Sequence, residues 1–239
     1  MAKGNILKNI FTGLLKFLVS LFLVPVMFGM GIAFFMLFSS PPSMSASEIF
    51  FVFGFFIFLV LFLLNVLPAY VYVLGHESTH AVWAVLFRGK IKEFNVSSEG
   101  GNVVTTKTNF FVALAPYFFP FYTFLIIFLY YCLAFFFDIA QWVNWLFFLV
   151  GFTYSFHIFL TVDAIIKGQP DIKKTGYFFS FVLILILNMA IAALILKFVV
   201  PEKISMKGYF SNSYNIAVTI YGYILKHVWN YLTELYNLI

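Results

Sequence analysis

The chain contains a single cysteine and very few charged residues. Only 10% of its 239 residues are charged, whereas 63% are hydrophobic and 23% are aromatic. A soluble domain carries about a quarter charged residues, so this composition excludes a single soluble globule with a polar surface. Because Cys132 has no second cysteine to pair with, an intrachain disulfide and a cysteine metal site are both excluded.

The positive net charge does not indicate nucleic-acid binding. The net charge of +5 comes from lysines that lie mostly in short segments between apolar runs, as the positive-inside bias predicts. No basic patch with interleaved aromatic residues is visible. We therefore expect the lipid bilayer, and no nucleic acid, as the environment of this chain.

Long apolar runs predict an all-α polytopic membrane protein with about five to six transmembrane helices. One run, 49–87, is about twice the length that one span needs. It is either one long kinked helix or two helices that turn near Pro68 in "NVLPAY". Single spans are predicted at 13–38, 109–136, 142–166 and 176–200.

The remaining segments are polar or mixed. The stretch "RGKIKEFNVSSEGGNVVTTKT" alternates polar and β-branched residues and predicts a β-hairpin at 91–106, with Gly100 and Gly101 in the turn. Residues 1–12 predict a short interfacial helix, and 39–48 predict a Ser/Pro-rich loop. The segment 212–238 is either a weak span or an amphipathic interfacial helix.

These elements predict three regions. The first, 1–48, contains the interfacial helix, the first span and the loop. The second, 49–200, is a membrane core that includes the hairpin, and the third, 201–239, is a C-terminal helix. No soluble domain and no internal repeat is visible.

Two basic loops predict the orientation. The loops flank the hairpin and "GQPD". Two predicted spans, 109–136 and 142–166, separate them, so both loops lie on one side. The positive-inside rule makes that side cytoplasmic, and we expect a multi-pass protein of a bacterial cytoplasmic membrane. The seven basic residues are Arg88, Lys90, Lys92, Lys107, Lys167, Lys173 and Lys174.

The stretch "GHESTH" places three ionisable side chains within five residues of an apolar segment. On a helix His76 and His80 share a face and can present two imidazoles to one metal ion, with Glu77 beside them as a general base. This is the HExxH arrangement of zinc metallopeptidases. His80 lies eight residues before Arg88, roughly 12 Å of helix, and ionisable residues at such depth are usually functional.

A catalytic zinc site needs a third protein ligand and an open position. The candidates are His157, Asp163 and Asp171, on the predicted span 142–166 or in the loop after it. His157 lies ten residues before Lys167, roughly 15 Å deep, which matches the depth of the motif. Asp171 lies in "KGQPDIKKTG", a helix break that can dip inward where it lines a cavity. Spacing alone does not separate Asp171 from His157.

The order of these features resembles the site-2 protease family of intramembrane zinc metalloproteases. The features are an HExxH in a span, a hairpin, "FVALAPYFFP" and a distal aspartate after a helix break, over roughly residues 69–190. The resemblance implies zinc held by His76, His80 and Asp171, with Glu77 as the base. It also implies that the hairpin stands where the family places a β-element that can pair with an unwound substrate.

The resemblance and the motif together predict a zinc metallopeptidase that hydrolyses peptide bonds of transmembrane or membrane-adjacent proteins. The alternative is a non-proteolytic membrane protein of the same scaffold that retains a structural metal. Glu77 favours the enzyme, because a structural metal needs no base. A transporter would show paired repeats, and the sequence has no such symmetry.

Overall fold

The computed structural model describes residues 2–38, 44–66 and 68–237. The described chain is helical apart from one hairpin. Its helices are α1 (Ala2–Met36), α2 (Ala46–Leu63), α3 (Ala69–Leu86), α4 (Phe110–Phe118), α5 (Phe121–Phe136), α6 (Val143–Lys167), α7 (Pro170–Thr175), α8 (Tyr177–Val199) and α9 (Met206–Asn237). The strands are β1 (Ile91–Ser97) and β2 (Gly100–Thr105), and a short 3₁₀ turn, Ala140–Trp142, precedes α6.

Four helical segments are long and apolar enough to cross a bilayer: Ile10–Met36, Ala46–Leu63, Ala140–Lys167 and Tyr177–Val199. The bent pair α4–α5 makes a fifth if it counts as one span. The expectation of an all-α polytopic chain with a small hairpin is confirmed, with four or five such segments among the described residues. The motif helix α3 is not one of them.

The long apolar run 49–87 forms two helices and not one kinked helix. The first, α2, ends at Leu63, and Asn65 follows with a left-handed φ of 57°. Asparagine is one of the few residues that tolerate this conformation. Pro68 then precedes the first turn of α3. Helix α3 therefore begins six residues after α2 ends, as an element of its own.

The predicted single span 109–136 is broken. Helices α4 and α5 meet at an angle of 74°, which the sequence analysis missed. The break lies at Phe119, which is extended at φ −102° and ψ 106°, because the ring of Pro120 excludes helical geometry from the residue before it. The bend leaves α4 as a short helix of its own beside α3.

The chain folds into two compact units. One contains Met1–Pro41 with Leu185–Ile239, and the other contains Pro42–Ile184. The boundary falls inside α8. The unit Pro42–Ile184 contains every residue of the candidate site.

The first unit is built on α1 and α9. Helix α1 is continuous from Ala2, so the separate interfacial helix predicted for 1–12 is absent from the described residues. No proline occurs before Pro25, and Gly13 alone costs a helix only about 1 kcal/mol. Tyr209 of α9 is buried and its hydroxyl donates to the Met30 carbonyl over 3.4 Å. The predicted loop 39–48 lies in part, at 39–43, outside the described residues.

The C-terminal segment is a single helix. It starts at Met206, six residues before the predicted position, and its second half is exposed. It is not among the segments apolar enough to cross a bilayer, which favours the amphipathic alternative over the weak span.

Glycines pack α2 against α6 in the second unit. A Cβ on Gly54 would lie 2.0 Å from the Phe148 carbonyl oxygen, and one on Gly151 would lie 2.0 Å from that of Phe51. Small residues permit such close approach of membrane helices. Ser47 also donates to the Asn144 side chain over 3.3 Å. Helix α6 is thereby fixed as one wall of the site.

The hairpin is antiparallel and lies along α3. Its register pairs Ser97 with Gly100, so the turn consists of residues 98 and 99. The prediction that Gly100 and Gly101 form the turn is wrong, because both belong to β2. Gly101 instead lets the strand approach α3, where an added Cβ would lie 2.8 Å from the side chain of Val73.

Candidate metal centre

The two motif histidines face each other one helical turn apart on α3. Their Nε2 atoms lie 3.2 Å apart, and their rings meet edge to face at 4.8 Å. Two like imidazole nitrogens at this separation leave room for an ion between them. The i, i+4 spacing seen in the sequence therefore produces a convergent pair of donors.

Asp171 is the third side chain at this point. Its Oδ2 lies 3.7 Å from His76 Nε2 and 3.4 Å from His80 Nε2. Gly168 ends α6 in a left-handed conformation at φ 63°, and Pro170 begins α7. This turn brings the carboxylate back to α3. The three donor atoms lie within 4.8 Å of one another and form a group able to hold a metal ion.

The donor geometry fits a tetrahedral metal. Zinc bonds nitrogen and oxygen at about 2.0–2.2 Å, so two ligands of one tetrahedral ion lie about 3.3–3.5 Å apart. The three separations here are 3.2, 3.4 and 3.7 Å. Two imidazoles and one carboxylate also form the donor type of catalytic zinc sites, which keep one open position. The residues present therefore fit zinc without rearrangement larger than a few tenths of an ångström.

A backbone carbonyl selects the tautomer of His80. Its Nδ1 lies 2.8 Å from the Val112 carbonyl oxygen. Since a carbonyl only accepts, Nδ1 carries the proton and the neutral ring offers the lone pair of Nε2 to the ion. Ligand histidines are commonly oriented in this way.

Asp171 is ionised in this setting. Burial alone would raise the pKa of its carboxyl group. In the site without a metal ion, His76 and His80 donate hydrogen bonds to this carboxylate when their Nε2 atoms carry a proton, and this interaction outweighs burial and lowers the pKa well below its ordinary value. The carboxylate is the form in which aspartate binds metals. Its position on α7 is secured by Ile172, which is fully buried and whose carbonyl accepts from Ser180 over 3.2 Å.

Glu77 lies beside the three donors but does not join them. The residue is buried, and none of the described residues donates a hydrogen bond to its carboxylate. Strand β2 covers it at Gly101. An unbonded carboxylate next to two imidazoles that could hold a metal ion is suited to accept a proton, which is the role expected from the motif.

The other two candidates for the third ligand lie elsewhere. Asp163 forms an ion pair with Lys167 over 2.7 Å and does not belong to the donor group. His157 is buried and lines a cavity that His76 also borders, but it does not join the donor group. The structure thus brings Asp171, and neither alternative, to the two motif histidines.

The cavity beside His76 has a volume of about 40 Å³. A buried water needs roughly 10–15 Å³ of such space, so a few waters fit. The polar residues of its wall are Tyr72, His76, Thr79, Tyr117, Tyr122, Thr153, His157 and Thr161. These polar groups offer hydrogen-bond partners to water beside His76, within a wall that is otherwise apolar.

Sequence reasoning missed Tyr117, which contacts two of the three donors. Its hydroxyl donates to Asp171 Oδ2 over 3.3 Å, and its ring packs edge to face on His76 at 5.4 Å. One sequence signal could have pointed to Tyr117. It follows Pro116 in "APYFFP", a segment that is one of the features on which the resemblance to site-2 proteases rests.

Comparisons of this chain with family models, curated proteins and solved structures give no match. The likeness to site-2 proteases therefore rests on the motifs and on the order of the elements.

Proposed function

We propose that this chain is an intramembrane zinc metalloprotease that hydrolyses peptide bonds of transmembrane or membrane-adjacent proteins. The observation that carries the proposal is the convergence of His76, His80 and Asp171 with an unbonded Glu77 beside them. A structural metal site would satisfy its ion with protein ligands and would have no use for a buried base. The three donors leave a tetrahedral ion one position short, as hydrolysis requires.

Each group has a separate task in this mechanism. A zinc ion bound by the three donors would polarise a peptide carbonyl and make a bound water acidic enough to lose a proton near neutral pH. The Glu77 carboxylate would accept a proton from the attacking water as its oxygen bonds the carbonyl carbon, and would return that proton to the amine as the C–N bond breaks. The Val112 carbonyl holds the His80 ring, and strand β2 restricts where the Glu77 side chain can go.

The hairpin supports a peptide substrate. A peptide bond inside a helix is shielded, so the substrate must be extended near the scissile bond. The described sheet has two strands, and each strand keeps an edge to which an extended segment can add by backbone hydrogen bonding. Gly101 brings β2 to Glu77, so a segment paired with this sheet would pass close to the base.

The basic residues indicate which side of the membrane the two loops face. We propose that the hairpin loop and the α6–α7 loop face the cytoplasm of a bacterial cell, because both are rich in lysine or arginine. The bent pair α4–α5 and helix α6 lie between them in the chain. If the bent pair crosses once, both loops lie on one side.

The test compares cells that produce the wild-type chain, Glu77→Gln or Glu99→Gln. Glutamine keeps the size of the side chain but removes its basicity, and general-base catalysis supplies about 10²–10⁴-fold in rate. Mass spectrometry of newly formed peptide termini in membrane proteins is the measurement. Cleavage products should appear with the wild type and with Glu99→Gln, which changes an exposed hairpin residue, and should vanish with Glu77→Gln.

The same comparison addresses the non-proteolytic alternative. If Glu77→Gln leaves the set of termini unchanged while zinc remains bound, the enzyme proposal fails. The chain would then be a membrane protein that keeps the metal for structure.

A further inference from the structure

We propose that helix α4 orients the metal centre and that its residue Tyr117 is the positioning residue for Asp171. This inference rests on the metal centre of the proposed function but not on proteolysis. It concerns how the third ligand is held, and it assigns a role to a residue outside the HExxH motif and the distal aspartate.

The hydroxyl of Tyr117 binds the carboxylate oxygen of Asp171 that faces the two histidines. It donates to Oδ2 of Asp171 over 3.3 Å, and Oδ2 is also the oxygen that faces both imidazoles. A carboxylate oxygen has two lone pairs. With one directed at the phenol, the other is left to point between the histidines, so the hydrogen bond selects both the oxygen and its direction.

Asp171 needs such a constraint because its own element is small. Helix α7 has six residues and lies between Gly168 and Gly176, which both have positive φ. So short a helix offers few neighbouring side chains to hold the Asp171 carboxylate, which can rotate about its last torsion. Ile172 anchors the helix, but it does not direct the carboxylate.

Tyr117 is itself fixed. Its side chain is 1% exposed, its ring contacts His76, and its carbonyl accepts from Thr161 over 3.4 Å. A donor held in place by α6 therefore directs a carboxylate whose last torsion is otherwise free to rotate. A mobile tyrosine could not do this.

Helix α4 orients a second ligand at the same time. Its Val112 carbonyl accepts from His80 Nδ1 over 2.8 Å, five residues before Tyr117. Asn109 caps the helix and accepts from the Val112 N–H over 2.9 Å, which places that turn. One short helix thus holds His80 through its backbone and Asp171 through a side chain.

The first test is zinc affinity of the purified full-length protein in detergent, measured by competition with a chromophoric chelator. Tyr117→Phe keeps the ring and removes only the hydroxyl. Loss of an outer partner of a metal ligand typically weakens metal binding by 10–100-fold, and we expect a loss in that range. Tyr122→Phe is the matched control. Tyr122 lines the same cavity, but its hydroxyl donates to the Val71 carbonyl and not to Asp171.

A double-mutant cycle separates positioning from general packing. In an Asp171→Ala background the hydroxyl has no carboxylate to direct, so adding Tyr117→Phe should change zinc affinity by less than about twofold. Contacting residues couple in such cycles, whereas independent ones add. Equal losses in the two backgrounds would overturn the proposal.

The outcomes also separate this inference from the proposed function. If the wild type binds zinc and Tyr117→Phe binds it equally well, the positioning role is wrong and the protease proposal stands. If Tyr117→Phe weakens zinc binding while Glu77→Gln leaves the membrane-protein termini unchanged, the positioning role stands without proteolysis. A wild type without zinc would overturn both.

Discussion

Gly101 of strand β2 lies directly against Glu77 of the motif helix. A Cβ on Gly101 would stand 2.5 Å from Cγ and 2.9 Å from Oε1 of Glu77. No side chain fits at this point unless the strand or the carboxylate moves. The position of the Glu77 side chain therefore depends on the absence of a side chain at Gly101 of the hairpin.

We expect Gly101→Val to impair cleavage without removing zinc. Displacing a reacting group by about 1 Å can cost on the order of 10²-fold in rate, whereas the atoms nearest to an added Cβ belong to Glu77 and Val73 and to none of the three donors. The zinc content of the purified variant and the newly formed peptide termini in membrane proteins of the same cells should both be measured. Asn102→Ala, an exposed neighbour in β2, is the control, and equal cleavage by both variants would contradict the link.

We expect about one zinc ion per chain in protein purified in detergent. The double variant His76→Ala/His80→Ala removes two of three donors and should lose the ion. Elemental analysis after dialysis against a mild chelator measures it. Equal zinc in the double variant and the wild type would show that the metal binds elsewhere.

The third ligand is expected to be Asp171 and not His157. Asp171→Ala should release zinc under conditions in which His157→Gln retains it, because His157 does not join the donor group. The same elemental analysis distinguishes them. Retention by Asp171→Ala together with loss from His157→Gln would reverse the assignment.

The glycine contact between α2 and α6 is expected to be intolerant of added volume. Gly151→Ala would place a methyl group 2.0 Å from the Phe51 carbonyl oxygen, and such overpacking destabilises by about 1–3 kcal/mol. The thermal midpoint in detergent should fall. Gly222→Ala, where the added Cβ has nothing within 4 Å, should leave the midpoint equal or slightly higher.

Both basic loops are expected to be shielded from reagents outside intact cells. Cys132 is exposed and is first replaced by alanine. Single cysteines at Ser98 and Gln169 should then react with a membrane-impermeant maleimide only after permeabilisation. Labelling of either position in intact cells would disprove the proposed orientation.

Sequence reasoning succeeded where the chemistry is local. His76 and His80 are four residues apart, so one helical turn determines their meeting, and no tertiary information is needed. The hairpin was found from alternation, but its turn was misplaced by two residues. The reason is that glycine signals both a turn and a close approach, and Gly101 serves the second purpose.

The third donor, the bend at Phe119 and the role of Tyr117 depend on tertiary structure, which the spacing of residues in the sequence does not predict. Spacing alone did not separate His157 from Asp171, and only the folded return of α7 to α3 shows that Asp171 lies beside the two histidines. The bend at Phe119 was missed because Pro120 lies inside an apolar run that reads as one span. Tyr117 is one of 14 tyrosines, and only the folded position of its hydroxyl distinguishes it from a packing residue.

The separation of the ligands along the chain has a consequence for biosynthesis. Asp171 is added 91 residues after His80, and at about 5–20 residues per second the ribosome needs roughly 5–18 s to reach it. During that interval a nascent chain holds two imidazoles without their carboxylate and without the α7 turn. Stable loading of zinc is therefore expected to follow synthesis of the α6–α7 segment, and metal uptake would report completion of this part of the protein.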